Sequence, residues 1–170
     1  MRVLITLAAV LLVAACQPRI PHRLPSDAPC QEMGNWLLCN ARDAVPYEAA
    51  ARKAAELAAK WDFGPPWPAW WPDLVVFANV TPEPGDENAY GRYYRDRVAI
   101  ILLDETKGAP AQVAQTTFHE LWHAVLHQAL GWDISGNPRH DHPSWWDIAY
   151  SVCDWPCSWW QSGPLACGAN

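Results

Sequence analysis

The residues with the most chemistry in this sequence stand in one short run, His119-Glu120-Leu121-Trp122-His123. If that run is helical, His119 and His123 lie one turn apart on the same face and can point at a single ion. Glu120 is then about 100° round the helix from His119. It can reach a water on the ion without binding the ion itself. Two imidazoles, a water and a neighbouring carboxylate are the parts from which zinc-dependent hydrolysis is built. Histidines at this spacing also occur on solvated helix faces, so the surroundings matter. Phe118, Leu121, Trp122, Val125, Ala129 and Leu130 form an apolar stripe, which packs the helix on a core and leaves the histidines at its border. Gly131 follows as a stop signal.

Two imidazoles alone hold zinc weakly and leave its charge undercompensated, so a third ligand is needed. His127 is two turns on, about 12 Å of helix rise from His119. Ligand bonds of ~2.0–2.1 Å do not span that, and His127 is expected to line the cleft. The chain after Gly131 offers His140, Asp141, His142 and Asp147. His142 is the preferred third ligand, because Pro143-Ser144-Trp145 behind it can start a packed helix and fix its ring. His140 is the alternative, and Asp141 or Asp147 would serve as ligand or orient a ligand imidazole. For a second electrophile the candidates are His127, Arg139, His140 and Tyr150, among which the sequence does not choose.

These groups need elements to position them. Residues 46–60 are alanine-rich with Pro46 in the first turn, a helix by propensity whose small apolar face suits packing on a sheet. Residues 63–72 hold four prolines and three tryptophans and are expected to be an irregular cover on the core. Strands are expected at 73–80, 89–94 and 98–103, with turn chemistry at 82–86. The motif helix should run from 111 to 130, a loop from 132 to 143, and a short helix from 144 to 153 with Ser144 as its cap. The tail from 154 reads as irregular and aromatic. The expected class is α+β, with a small, mainly antiparallel sheet of about three strands packed on the motif helix and its flanking helices.

With 170 residues the chain is long enough for one domain with a moderate core. Its first 15 residues stand apart: a short basic start, then an apolar run from 3 to 15 that is too short for a permanent span and reads as a signal peptide. The run ends in Val13-Ala14-Ala15-Cys16, which resembles the lipobox of bacterial lipoproteins. That resemblance implies an acylated (palmitate-bearing) Cys16 as the mature first residue. Gln17 behind it resembles sorting to the outer membrane where the organism has one. Residues 16–29, proline-rich and without periodicity, read as a tether, with His22 a solvated side chain, and 30–170 as the domain. The formal net charge is −6, and losing Arg2 with the signal peptide makes it one unit more acidic. Such a balance offers no counterion-release affinity for nucleic acid, and it leaves the lipid, not a basic patch, to hold the membrane. The protein is expected to act as a monomer.

The remaining cysteines, Cys30, Cys39, Cys153, Cys157 and Cys167, fit an oxidising compartment and contain no Cys-x-x-Cys. Disulfides are expected at Cys30–Cys39 and Cys157–Cys167, each closing a short loop, with Cys153 a buried thiol. The twelve tryptophans are expected in the core or lining a groove.

The element order, with His119-Glu120-Leu121-Trp122-His123 and the later His142-Pro143-Ser144-Trp145-Trp146, resembles the minimal zincin metallopeptidases. The second segment is similar to the His-Gly-x-x-Phe/Trp piece of SprT-like peptidases, whose histidine is the third ligand; Pro143 stands where that group has glycine. The resemblance implies the architecture, Zn2+ as cofactor and His142 as ligand, without the DNA association of that group. The metzincin pattern does not fit, since Leu126 and Ala129 occupy its glycine and third histidine positions. In zincins the strand before the motif helix binds the substrate backbone, which implies that 98–103, or the aromatic strand before it, would hold an extended peptide.

Two functions follow as expectations. One is a lipid-anchored envelope metallopeptidase, or an amidase, acting on envelope proteins or peptidoglycan peptides, with Glu120 as general base. The other is a non-catalytic, zinc-stabilised envelope lipoprotein acting as a binding module. Glu120 separates them, because a structural site has no use for a carboxylate base.

Overall fold

A computed structural model of the protein describes residues 24–63, 74–85, 89–95, 98–102, 105, 110–131, 140 and 142–145. The Cys30–Cys39 segment, expected to be only a disulfide-closed loop, contributes two strands, β1 (Cys30–Glu32) and β2 (Trp36–Cys39). Gly34 makes the tight turn between them at φ +78°. The two cysteines are partners in the resulting ladder, and the expected disulfide joins them. Helix α1 (Val45–Lys60) follows, then β3 (Leu74–Phe77), β4 (Gly91–Tyr94), β5 (Val98–Ile101) and the motif helix α2 (Pro110–Leu130). Both helices fall where the propensity and the apolar stripe put them, and α2 ends at Gly131, whose φ is +70°.

The class is α+β, as expected, but the sheet has five strands in the order β1-β2-β3-β5-β4. It is mixed, not mainly antiparallel. β1–β2 and β4–β5 are antiparallel hairpins, whereas β2–β3 and β3–β5 are parallel. The physical reason is that α1 carries the chain back between β2 and β3, and a return of that length turns two consecutive strands the same way. The expected count fell short because Trp36-Leu37-Leu38-Cys39 was read as part of a loop. Its alternation is a strand's: Trp36 and Leu38 are buried and Leu37 is exposed.

Both helices cover one face of the sheet. Trp36, Leu38, Leu74, Val76, Tyr93, Ala99 and Ile101 form a core with them, every second residue along each strand. The other face is smaller, with Val80, Ile100 and Leu102 buried against Leu24, Phe77 and Val98. Leu24 lies in the segment read as a tether, so the contacts of the domain reach back that far. Ala50, Ala51, Ala54 and Ala58 are buried on α1. These small side chains let α1 and α2 pack on each other.

The ends of β2 and β3 are tied by two asparagines in the left-handed region, Asn40 at φ +61° and Asn79 at φ +52°. Asn40 Nδ2 donates to the Ala78 carbonyl and Asn79 Nδ2 to the Asn40 carbonyl, both at 2.9 Å. Glu105 completes the knot, accepting from the Tyr47 hydroxyl at 2.5 Å and from the Arg42 amide at 2.9 Å. Burial first, and Glu105 second, hold the Tyr47 phenol protonated far above its ordinary range.

Candidate metal centre

Thr116, Glu120, His123 and His127 follow one another along α2 at spacings of four, three and four, which makes them one row on the helix surface. Strand β4 lies beneath that row. Gly91 faces Glu120 and Thr116. Tyr93, two residues on and so on the same side of the sheet, stacks at 6.5 Å on His123 and places its hydroxyl 2.9 Å from His127 Nδ1. His127 is thus held against the strand.

His119 and His123 turn their Nε2 atoms toward each other, 3.1 Å apart. A tetrahedral ion with bonds of ~2.0–2.1 Å holds its ligand atoms roughly 3.4 Å apart. The third imidazole in reach is His140, with ring centroids 4.4 Å from His123 and 5.6 Å from His119. The ligand nitrogens of all three lie within 4.8 Å of one another, so His119, His123 and His140 could hold one metal ion. Trp145 completes the cluster, its ring centroid 4.7 Å from His119, 4.7 Å from His123 and 5.1 Å from His140.

His142, preferred from the sequence, is not in that group. Its Nδ1 accepts from the Ser144 hydroxyl at 2.6 Å and from the Ser144 amide at 3.2 Å. Ser144 is buried, and its Oγ also accepts from Trp122 Nε1 at 2.9 Å. The His142 ring meets Trp61 and Phe63 edge-on at 5.2 and 5.4 Å. Those two aromatics are brought there by the C-terminal turn of α1, where Asp62 takes φ +57° and the Phe63 amide donates back to the Ala58 carbonyl. His142 therefore fixes the turn that carries His140 and Trp145. Of the four residues expected to offer a third ligand, His140, Asp141, His142 and Asp147, the structure brings His140 to His119 and His123. Which ring faces inward depends on the Ser144 bonds, and no spacing rule predicts those.

Asp141, Asp147, Arg139 and Tyr150 lie outside the described residues, as do Cys16, Cys153, Cys157 and Cys167. Tyr93 and Trp145 were not singled out as site residues. The alternation of β4 offered a signal for Tyr93, since the same parity that buries it brings it under the row on α2.

Burial, and then the charge of His140, pull the His119 pKa down to about 4. The ring is therefore uncharged at neutral pH, with one nitrogen able to bind a cation. Glu120 is only 5% exposed. Burial pushes its pKa up to about 8, with Arg92 opposing the shift. No protein-family model, no curated protein and no solved structure matches the chain.

Two predictions follow from this geometry. His140→Ala should lower the metal stoichiometry of the purified protein by about one ion per chain, whereas His142→Ala should retain metal and lower thermal stability by loosening the turn. Retention by the first variant with loss by the second would return the ligand role to His142. The second prediction concerns chelator-treated protein. Glu120 rises from 4.5 to about 8 on folding, so its stabilising contribution is full below 4.5 and lost as the pH rises through about 8. His119 falls from 6.5 to about 4, so its contribution is present above 6.5 and lost as the pH falls through about 4. Between 4.5 and 6.5 the two slopes cancel, and from 6.5 to about 8 stability declines through Glu120 alone. Denaturant midpoints across this range should show the plateau and the alkaline fall, and Glu120→Gln should abolish the fall.

Proposed function

We propose that this chain is a zinc-dependent peptide-bond hydrolase of the bacterial cell envelope with a minimal zincin-like fold, held to the membrane by lipid on Cys16. The observation that carries the reading is three imidazoles within ligand distance of one another, with Glu120 buried on the same helix beside them. An all-imidazole donor set suits zinc and disfavours calcium and magnesium, which take oxygen ligands.

Zinc bound there would polarise a carbonyl and supply a water able to lose its proton near neutral pH. Glu120 would serve as the carboxylate that takes the water's proton and hands it to the leaving amine. Burial raises its pKa in the metal-free protein, and a bound cation beside it would favour the ionised form that a base requires. His127, held by Tyr93 at 2.9 Å through Nδ1, would be the second electrophile that meets the developing oxyanion. The substrate main chain is taken up by β4. Among the described residues β4 is paired only to β5, on one side, whereas β5 is flanked by both β3 and β4 and has no edge to offer. The substrate is thus an extended segment of envelope protein or peptide.

One observation favours the second reading, a zinc-stabilised binding module without turnover: Trp145 packs against all three imidazoles, where a water would need access. Turnover decides between the two. The purified protein should contain zinc and cleave an unstructured protein in a chelator-sensitive way. Glu120→Gln should keep the zinc and lose at least ~10²-fold in rate. Zinc without cleavage in the wild-type protein would establish the binding module instead. The attachment has its own test: Cys16→Ser should move the protein out of the membrane fraction or leave it unprocessed, and an unmodified Cys16 in mature protein would reject the anchor.

A further inference from the structure

Gly91 opens β4 at a position where a glycine has no conformational reason to be. The glycines in the left-handed region are Gly34, Gly85 and Gly131, and Gly91 is not among them. A glycine inside a strand is less stable than alanine when its backbone conformation is ordinary. Space supplies the reason. A Cβ built on Gly91 would stand 2.7 Å from Glu120 Oε1, 2.8 Å from Glu120 Cγ and 2.9 Å from Thr116 Cγ2. All three separations are below contact distance. Two of the three atoms belong to the one carboxylate side chain that the cleft buries.

We propose that Gly91 is a positioning residue: its missing side chain is the socket in which the Glu120 carboxylate is seated between α2 and the edge strand. Any larger residue there must push the carboxylate along or away from the helix, because Thr116 closes the neighbouring direction. Seated in this socket, Glu120 lies at the start of the strand proposed to receive the substrate, so the base and the docked main chain share one reference point. The seating stands on the geometry alone. Its catalytic consequence rests on the hydrolytic reading of Glu120. A misplacement of about 1 Å in a reacting group can cost ~10²-fold in rate, and a methyl group at Gly91 forces a shift of that order.

The test uses the full-length protein and a thermal double-mutant cycle, supplemented by kinetics. Gly91→Ala should lower the melting temperature. In the Glu120→Ala background, where Oε1 and Cγ are gone, the same change should cost less than half as much. If Gly91→Ala alone does not fold, recovery of a cooperative transition in Gly91→Ala/Glu120→Ala supports the socket equally. Equal losses in both backgrounds, or no recovery in the double variant, overturn it. This cycle reads no activity, so it decides the seating even if the hydrolytic reading fails.

Kinetics separate positioning from packing. Gly91→Ala should keep its zinc and its KM while kcat falls ~10–100-fold. Adding Thr116→Ser, which removes only the third crowding atom and leaves Glu120 Oε1 and Cγ in place, should recover less than half of the lost melting temperature and none of the kcat. Full recovery of kcat with Thr116→Ser, or an unchanged kcat in Gly91→Ala, would reduce Gly91 to an ordinary packing position.

Discussion

Helix α2 has to bury a carboxylate and an imidazole among Phe118, Leu121, Trp122 and Val125, and most of the fold can be understood as the means of doing so. An ionised group taken out of water costs several kcal/mol unless it is paired or neutralised. Two responses appear in this structure. Glu120 and His119 shift their pKa values in opposite directions, each toward its neutral form. Thr116, Glu120, His123 and His127 are also gathered into a single row above β4, where Glu120 meets Gly91 and the two imidazoles meet Tyr93.

The site is built from three parts of the chain that differ in rigidity. The two imidazoles on α2 are fixed relative to each other by helix geometry, and Tyr93 braces the row from a strand. His140 comes from a turn outside the sheet and the two long helices. Its place depends on the short chain of bonds from Trp122 through Ser144 to His142, and on the Trp61 and Phe63 rings. Buried Trp122 is therefore both core and support: its ring fills the interior and its Nε1 anchors the loop that completes the cluster.

What could be read from the sequence divides along the same line. Local periodicity determines an element when the element is long and one face is apolar, which is why α1, α2 and the strands about 74–77 and 98–101 stood out. His119, Glu120 and His123 were legible because their relation is internal to one helix. The β1–β2 hairpin was not, since a four-residue strand closed by a disulfide looks like the loop the disulfide would close. The mixed sheet was missed because strand direction depends on where the intervening helix crosses, a property of the whole fold. His140 and His142 are two residues apart in the same loop, and only the hydroxyl of Ser144 decides how their rings are oriented. Gly91 carried no signal in its own strand; it becomes informative once α2 is laid across it.

The order of the strands also bears on how the chain can be assembled. β5 enters the sheet between β3 and β4, although β4 comes before it in sequence. The sheet cannot grow by adding each new strand to the last one formed. β1, β2, α1 and β3 make one local unit, the β4–β5 hairpin makes another, and the β3–β5 ladder is the only strand pairing that joins them. The row on α2 has nothing to rest on until that hairpin has docked, and the loop bearing His140 is synthesised later still. A nascent chain that has reached Leu130 already holds, among the described residues, every strand and both long helices, yet it has only two of the three imidazoles.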